Sequence, residues 1–190
     1  MIRLLSAELH RLELRARMPF RYGIATMTDV PQVIARVTFE LGSVVQAGLA
    51  ADLLPPKWFT KDPARGLADE VDEMLLVIRT ALRHAASLRA PTAFAFWREL
   101  DAAQSAWGRA RGLPPLLTGF GTSFVERALI HALCRAHGTT LSHARYGATW
   151  SAPISGASRP NFAASRRPTS CRRYRRRRSS RGTRWVCRTP

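Results

Sequence analysis

Residues 33–51 read Val-Ile-Ala-Arg-Val-Thr-Phe-Glu-Leu-Gly-Ser-Val-Val-Gln-Ala-Gly-Leu-Ala-Ala. Val33, Ala35, Val37, Phe39 and Leu41 fall on one face of an extended chain, and Ile34, Arg36, Thr38 and Glu40 on the other. This period of two predicts a strand with one buried side. Gly42-Ser43 is a tight-turn signal, and residues 44–51 return as its hairpin partner. Upstream, residues 2–18 mix aliphatic and charged side chains and are expected to form a third strand, closed by Met18-Pro19. Residues 19–30 are expected to be a long loop, and so are residues 52–63, whose prolines exclude a regular helix.

Downstream the period changes. From about residue 66 to 89, Val71, Leu75, Ile78, Leu82 and Ala86 recur at three- and four-residue steps, which predicts an amphipathic helix. Pro91-Thr92 breaks it, and Thr92 is placed to cap a second helix over 93–110, ended by Gly112, Pro114 and Pro115. For a third helix, Ser123 and Glu126 read as a capping box ahead of the stripe Val125, Leu129, Ala132, Leu133 and Ala136, with Gly138 as the C-terminal stop. The expected fold class is α+β: a three-stranded antiparallel meander followed by a three-helix bundle.

Charge divides the chain differently. Residues 1–150 carry eighteen basic and thirteen acidic side chains, a net +5; residues 151–190 carry twelve Arg and no Lys, Asp or Glu, a net +12. The +17 of the whole chain therefore comes mostly from a tail with few aliphatics and no helical period. Such a segment is expected to be disordered. Residues 1–143 form the expected domain and 144–190 the Arg-rich tail. Cys134, Cys171 and Cys187 match no zinc or CxxC spacing, and an odd count without a signal-peptide pattern favours a reducing, cytoplasmic setting. No run of about eighteen apolar residues predicts a membrane span.

The strand–loop–strand–hairpin–loop–helix order, with the third helix reading Val-Glu-Arg-Ala-Leu-Ile-His-Ala-Leu-Cys-Arg-Ala-His-Gly (residues 125–138), resembles the N-terminal capping domain of the enolase superfamily. The mandelate racemase and muconate lactonizing branch looks closest. Phe20-Arg21-Tyr22-Gly23-Ile24-Ala25 and Gly48-Leu49-Ala50-Ala51-Asp52 sit where that family carries its two cap loops. The resemblance implies that such loops help select a substrate at the mouth of a TIM barrel, whose strand ends supply a Lys or His base and three carboxylates for Mg²⁺. By that resemblance the specificity-loop residues would be Phe20, Arg21, Tyr22, Lys57, Trp58 and Lys61. The alternative for Lys57, Trp58, Phe59 and Lys61 is an amphipathic loop covering apolar surface, and Arg21 and Tyr22 carry the same ambiguity. A barrel needs about 200 further residues. No acid follows Glu126 and no lysine follows Lys61, so no catalytic or metal position is matched, and no cofactor is expected in this chain.

An arginine block without lysine points to GC-rich codons read in the wrong frame, since a functional basic tail usually mixes the two residue types. Re-reading residues 181–190 one frame over permits Arg-His-Thr-Val-Gly-Leu-Pro-Asp-Pro, which looks like the start of a barrel strand. The frame change would fall within 144–160. The leading expectation is therefore a truncated, catalytically incomplete enolase-superfamily protein. The alternative is a small basic protein binding nucleic acid through its tail, and a third reading is an interaction module using an exposed cap face. His131 and His137, six apart, cannot form an i,i+4 metal pair, and His84 and His143 have no carboxylate at a telling spacing. Faces carrying Phe94, Trp97, Phe120 and Phe124 are expected to be partly exposed, so self-association is expected.

Overall fold

The computed structural model describes residues 1–141. The expected boundary at 143/144, the tail, His143, Cys171, Cys187 and the frame change lie outside the described residues. The described residues form four strands and three helices: β1 (Ile2–Tyr22), β2 (Ala25–Leu41), β3 (Val44–Leu53), α1 (Leu67–Ser87), β4 (Arg89–Ala90), α2 (Ala93–Ala110) and α3 (Pro115–Ala136). The sheet is antiparallel, in the order β3-β2-β1-β4. This is the expected α+β layout, with one addition: Ala90 and Arg89 pair with Ile2 and Arg3, so the α1–α2 connection extends the sheet by two residues. Two residues are too short a segment for a period of two to declare itself.

The alternating strand is buried as read. Val33, Ala35, Val37 and Phe39 are inaccessible to solvent, and Leu41 is partly buried. Gly42 takes the left-handed backbone (φ 66°) that a tight hairpin requires. Register runs from Leu41↔Val44 to Gln32↔Leu53 on one side of β2 and from Leu41↔Ile2 to Ala25↔Tyr22 on the other. Residues 19–30 therefore are not a long loop. They are the end of β1, a tight turn at Gly23-Ile24, and the start of β2. Pro19 does not end the strand because it lies within the register break between Arg15 and Phe20, where no ladder partner claims its missing N–H.

The helices cover the buried face of the sheet. Phe39 meets Phe96 of α2 edge-on at 6.2 Å between ring centres. Thr92 caps α2 as expected, its hydroxyl accepting from the Ala95 N–H at 3.1 Å. Within α1 the buried stripe takes in Met74, Val77, Ala81 and Ala85; Ala86, expected in that stripe, is exposed. α3 begins eight residues before the expected capping box. Pro115 opens it, and Ser123 lies inside the helix, its hydroxyl donating to the Phe120 carbonyl at 2.8 Å. Pro at the first helical position has the right φ and no N–H to leave unpaired. Gly138 (φ 57°) follows the helix end, as read. Phe124, expected to be partly exposed, is fully buried, and Cys134 is partly buried.

Candidate functional site: an aromatic cleft between hairpin and loop

Two segments about thirty residues apart are joined by one hydrogen bond. The Tyr22 hydroxyl, at the end of β1, donates to the Pro56 carbonyl at 2.6 Å. This holds the β1–β2 hairpin tip against the 54–66 loop. The rings of Tyr22 and Trp58 lie 5.9 Å apart with a 56° tilt, and Phe20 stacks on Tyr22 at 6.1 Å. From the other side, Phe59 meets Phe120 at 5.1 Å, and Phe120 meets Phe124 edge-on at 5.2 Å. A cleft of about 690 Å³ opens between hairpin tip, loop and the first turns of α3.

The loop is held by a buried ion pair. Lys57 has a left-handed backbone (φ 64°), an uncommon conformation for a side chain other than glycine. Its Nζ donates to the carbonyls of Asp62 and Arg65 and to Glu70 Oε1, at 2.7, 2.6 and 2.8 Å. Its backbone N–H donates to Glu70 Oε2. Both side chains are more than nine-tenths buried. One α1 carboxylate thus fixes the loop from which Trp58 and Phe59 project. Burial raises the Tyr22 hydroxyl above its ordinary pKa of 10.0, and the Glu70 charge adds to that shift. The neutral phenol donor is therefore the form present at neutral pH.

Of the six residues singled out in the sequence, Phe20, Tyr22 and Trp58 line the cleft. Arg21 and Lys61 are exposed and are not among its lining residues, and Lys57 is buried in the loop behind it. Leu116, Gly119, Phe120 and Ser123 form the α3 wall. Their spacing of three and four residues was visible in the sequence, but starting the helix at Ser123 hid it. Asp52 also borders the cleft, with Oδ2 3.0 Å from Arg127 Nη1 and Oδ1 accepting from the Leu53 N–H.

Among the described residues, no three of His, Cys, Asp and Glu come together in a way that could hold a metal ion. They offer no donor set that fits Mg²⁺. His131 is engaged otherwise: its Nδ1 accepts the Leu49 N–H at 2.9 Å, tying β3 to α3. His84 Nδ1 lies 3.1 Å from Gln104 Oε1. No described helix is long and apolar enough to cross a membrane.

No family model and no curated protein matches the chain. Solved structures similar to it are enolase-superfamily proteins. An enolase from alpha proteobacterium BAL199 with bound magnesium has a TM-score of 0.47 at 17% identity, over 72% of this chain and 32% of its own. An enolase from Bradyrhizobium, complexed with magnesium and mandelic acid, gives 0.45 at 17% identity over the same shares. A mandelate racemase/muconate lactonizing protein from Herpetosiphon aurantiacus gives 0.43 at 16%, over 71% of this chain and 32% of its own. The chain matches about a third of the length of these proteins.

Proposed function

We propose that this chain is the capping domain of an enolase-superfamily protein, parted from its barrel by a change of reading frame within codons 144–160. As it stands, it shapes one wall of a substrate site and does not carry the chemistry. The observation that carries this reading is the cleft in which the first cap-loop region, held to the 54–66 loop by the Tyr22–Pro56 hydrogen bond, meets Asp52 of the second. The parent reaction would be proton abstraction next to a carboxylate, as a racemase, epimerase, dehydratase or cycloisomerase. In the resembled family Mg²⁺ stabilises the resulting enediolate. Among the described residues no three of His, Cys, Asp and Glu cluster to hold that ion, and the part we assign to them is orienting the substrate and excluding water.

The test is to resequence the gene and its downstream DNA. The expected result is a shifted frame that stays open past codon 190 and encodes alternating strands and helices, with a lysine base and three spaced acids. A stop codon soon after, or no such pattern in either frame, would overturn the proposal. It would favour the reading in which the Arg-rich tail is the working part.

A further inference from the structure

We infer that two copies of this chain join edge to edge through β1, antiparallel and with a two-fold axis at Leu12, into one continuous sheet. The inference rests on the described strand and not on the preceding reading.

The two edges of the sheet differ. On β3, the Leu49 N–H donates to His131 Nδ1 and the Ala51 carbonyl accepts from Arg127, so side chains of α3 close that edge. On the other edge, β4 pairs only with Ile2 and Arg3 of β1. From Ser6 to Arg15 the ladder to β2 runs without a break, and no described residue bonds the outward backbone groups of that stretch. A long, regular, unpaired edge is a template for another strand, and charged side chains normally deter the pairing. Here the order of the charges decides which partner is deterred.

In an antiparallel pair, residues directly opposite are both hydrogen-bonded or both not, so the axis of a symmetric pair passes through a residue position. An axis at Arg11 sets Arg11 against itself. One at Glu13 sets Glu13 against itself and Arg11 against Arg15. One at Leu14 sets Arg11 against Arg17, and one at His10 opposes no charges of opposite sign. An axis at Leu12 sets Arg11 against Glu13 on both sides and opposes no like charges. Opposite charges facing across a pair stabilise it, and like charges destabilise it. Arg11 and Glu13 already bond within the strand at 2.6 Å, and each gains a second partner. On the other face of the strand, Leu12 meets its own copy with Leu14 on the diagonal. Both leucines are more than a third exposed, so this contact takes apolar surface out of water. The closed β3 edge stops growth at two copies.

The experiment uses the full chain at physiological salt, where the repulsion from its net charge of +17 is screened. Sedimentation over a range of protein concentrations is expected to show a monomer–dimer equilibrium. Arg11→Glu and, separately, Glu13→Arg are each expected to weaken the dimer at least tenfold, and the two together to restore it. Both side chains are exposed, so the fold is expected to survive each change, with an unaltered circular dichroism spectrum. A second measurement uses Leu12→Cys in a chain carrying Cys134→Ala, Cys171→Ser and Cys187→Ser. It is expected to cross-link on mild oxidation, because a disulfide needs Cα atoms within about 7 Å. Glu8→Cys in the same background is expected not to, since its two copies would lie more than about 20 Å apart. A monomer at every concentration, a dimer indifferent to charge reversal, or equal cross-linking at positions 8 and 12 would each overturn the inference. A monomer whose outward β1 amides exchange slowly would place another segment of this chain on the edge and overturn it equally.

Discussion

Lys57 shows how little a residue's charge says about its place. On sequence it sat beside Trp58 and Lys61 as a candidate facing a substrate. In the fold its ammonium is buried against Glu70 and two carbonyls, and those bonds hold its backbone in the left-handed region. Removing one partner of a buried pair leaves the other unpaired, at a cost of about 3–5 kcal/mol. Glu70→Gln is expected to lose stability of that order in urea unfolding. Lys57→Met combined with Glu70→Gln should lose less than Glu70→Gln alone, because the amide oxygen can still accept the position-57 N–H and no charge is stranded. A double variant no better than the single would show that the pair is not what fixes the loop. Glu126 offers a pH test. Burial raises its carboxyl above the ordinary 4.5, with Asp101 adding to the shift and Arg127 opposing it. A raised carboxyl binds its proton more tightly in the folded state, so stability is greatest below 4.5 and falls as pH rises through the folded value. Glu126→Gln is expected to raise the urea midpoint at pH 7 and not at pH 4. An equal gain at both would assign the effect to packing.

At the scale of elements, the alternation of β2 and the Thr92 cap were legible because each depends on near neighbours in sequence. Where β1 ends was not: Pro19 reads as a stop unless one knows that the ladder skips it. The start of α3 was missed for a related reason. Gly119 and Gly121 weaken a helical reading of 115–122, yet packing decides it. A Cβ at Gly121 would overlap the Val77 carbonyl of α1, and one at Gly48 would overlap the Ala128 carbonyl of α3. Both glycines let backbones approach where a side chain would hold them apart. Gly48→Ala is expected to destabilise by about 1–3 kcal/mol or more, through overpacking. Gly119→Ala, with open space at its Cβ, should stabilise by up to about 1 kcal/mol. Denaturant midpoints of the two variants moving in the same direction would contradict this account of the β3–α3 contact.

For the whole molecule, two expectations follow from charge and from the proposed division of labour. Phe94 and Trp97 stack at 5.6 Å beside a smaller cleft of about 170 Å³ bordered by Glu126, and Phe94, Val45 and Leu116 are exposed. The net charge of +17 opposes association at low salt, and screening shortens that repulsion to about 8 Å at physiological ionic strength. Sedimentation is expected to show monomer at low salt and growing association as salt rises; a sharp monomer at both would leave the apolar surface without consequence. On the proposed division of labour, with the chemistry placed in a separate barrel, no magnesium-dependent turnover is expected over a panel of dipeptides and sugar acids. Turnover by the purified chain that is lost on adding a chelator would defeat the proposed division of labour.

Local pattern was enough for the fold class, the hairpin centred on Gly42, the second helix and the uneven distribution of charge. Each is written in a local period, a turn residue or a count. Only the folded chain shows that Phe20, Tyr22 and Trp58 share a cleft with Leu116 and Phe120, that Lys57 is buried behind it, and that β4 joins the sheet. These contacts link residues far apart in the chain. They depend on how closely backbones can approach and which buried charges find partners, and neither is a property of any single segment.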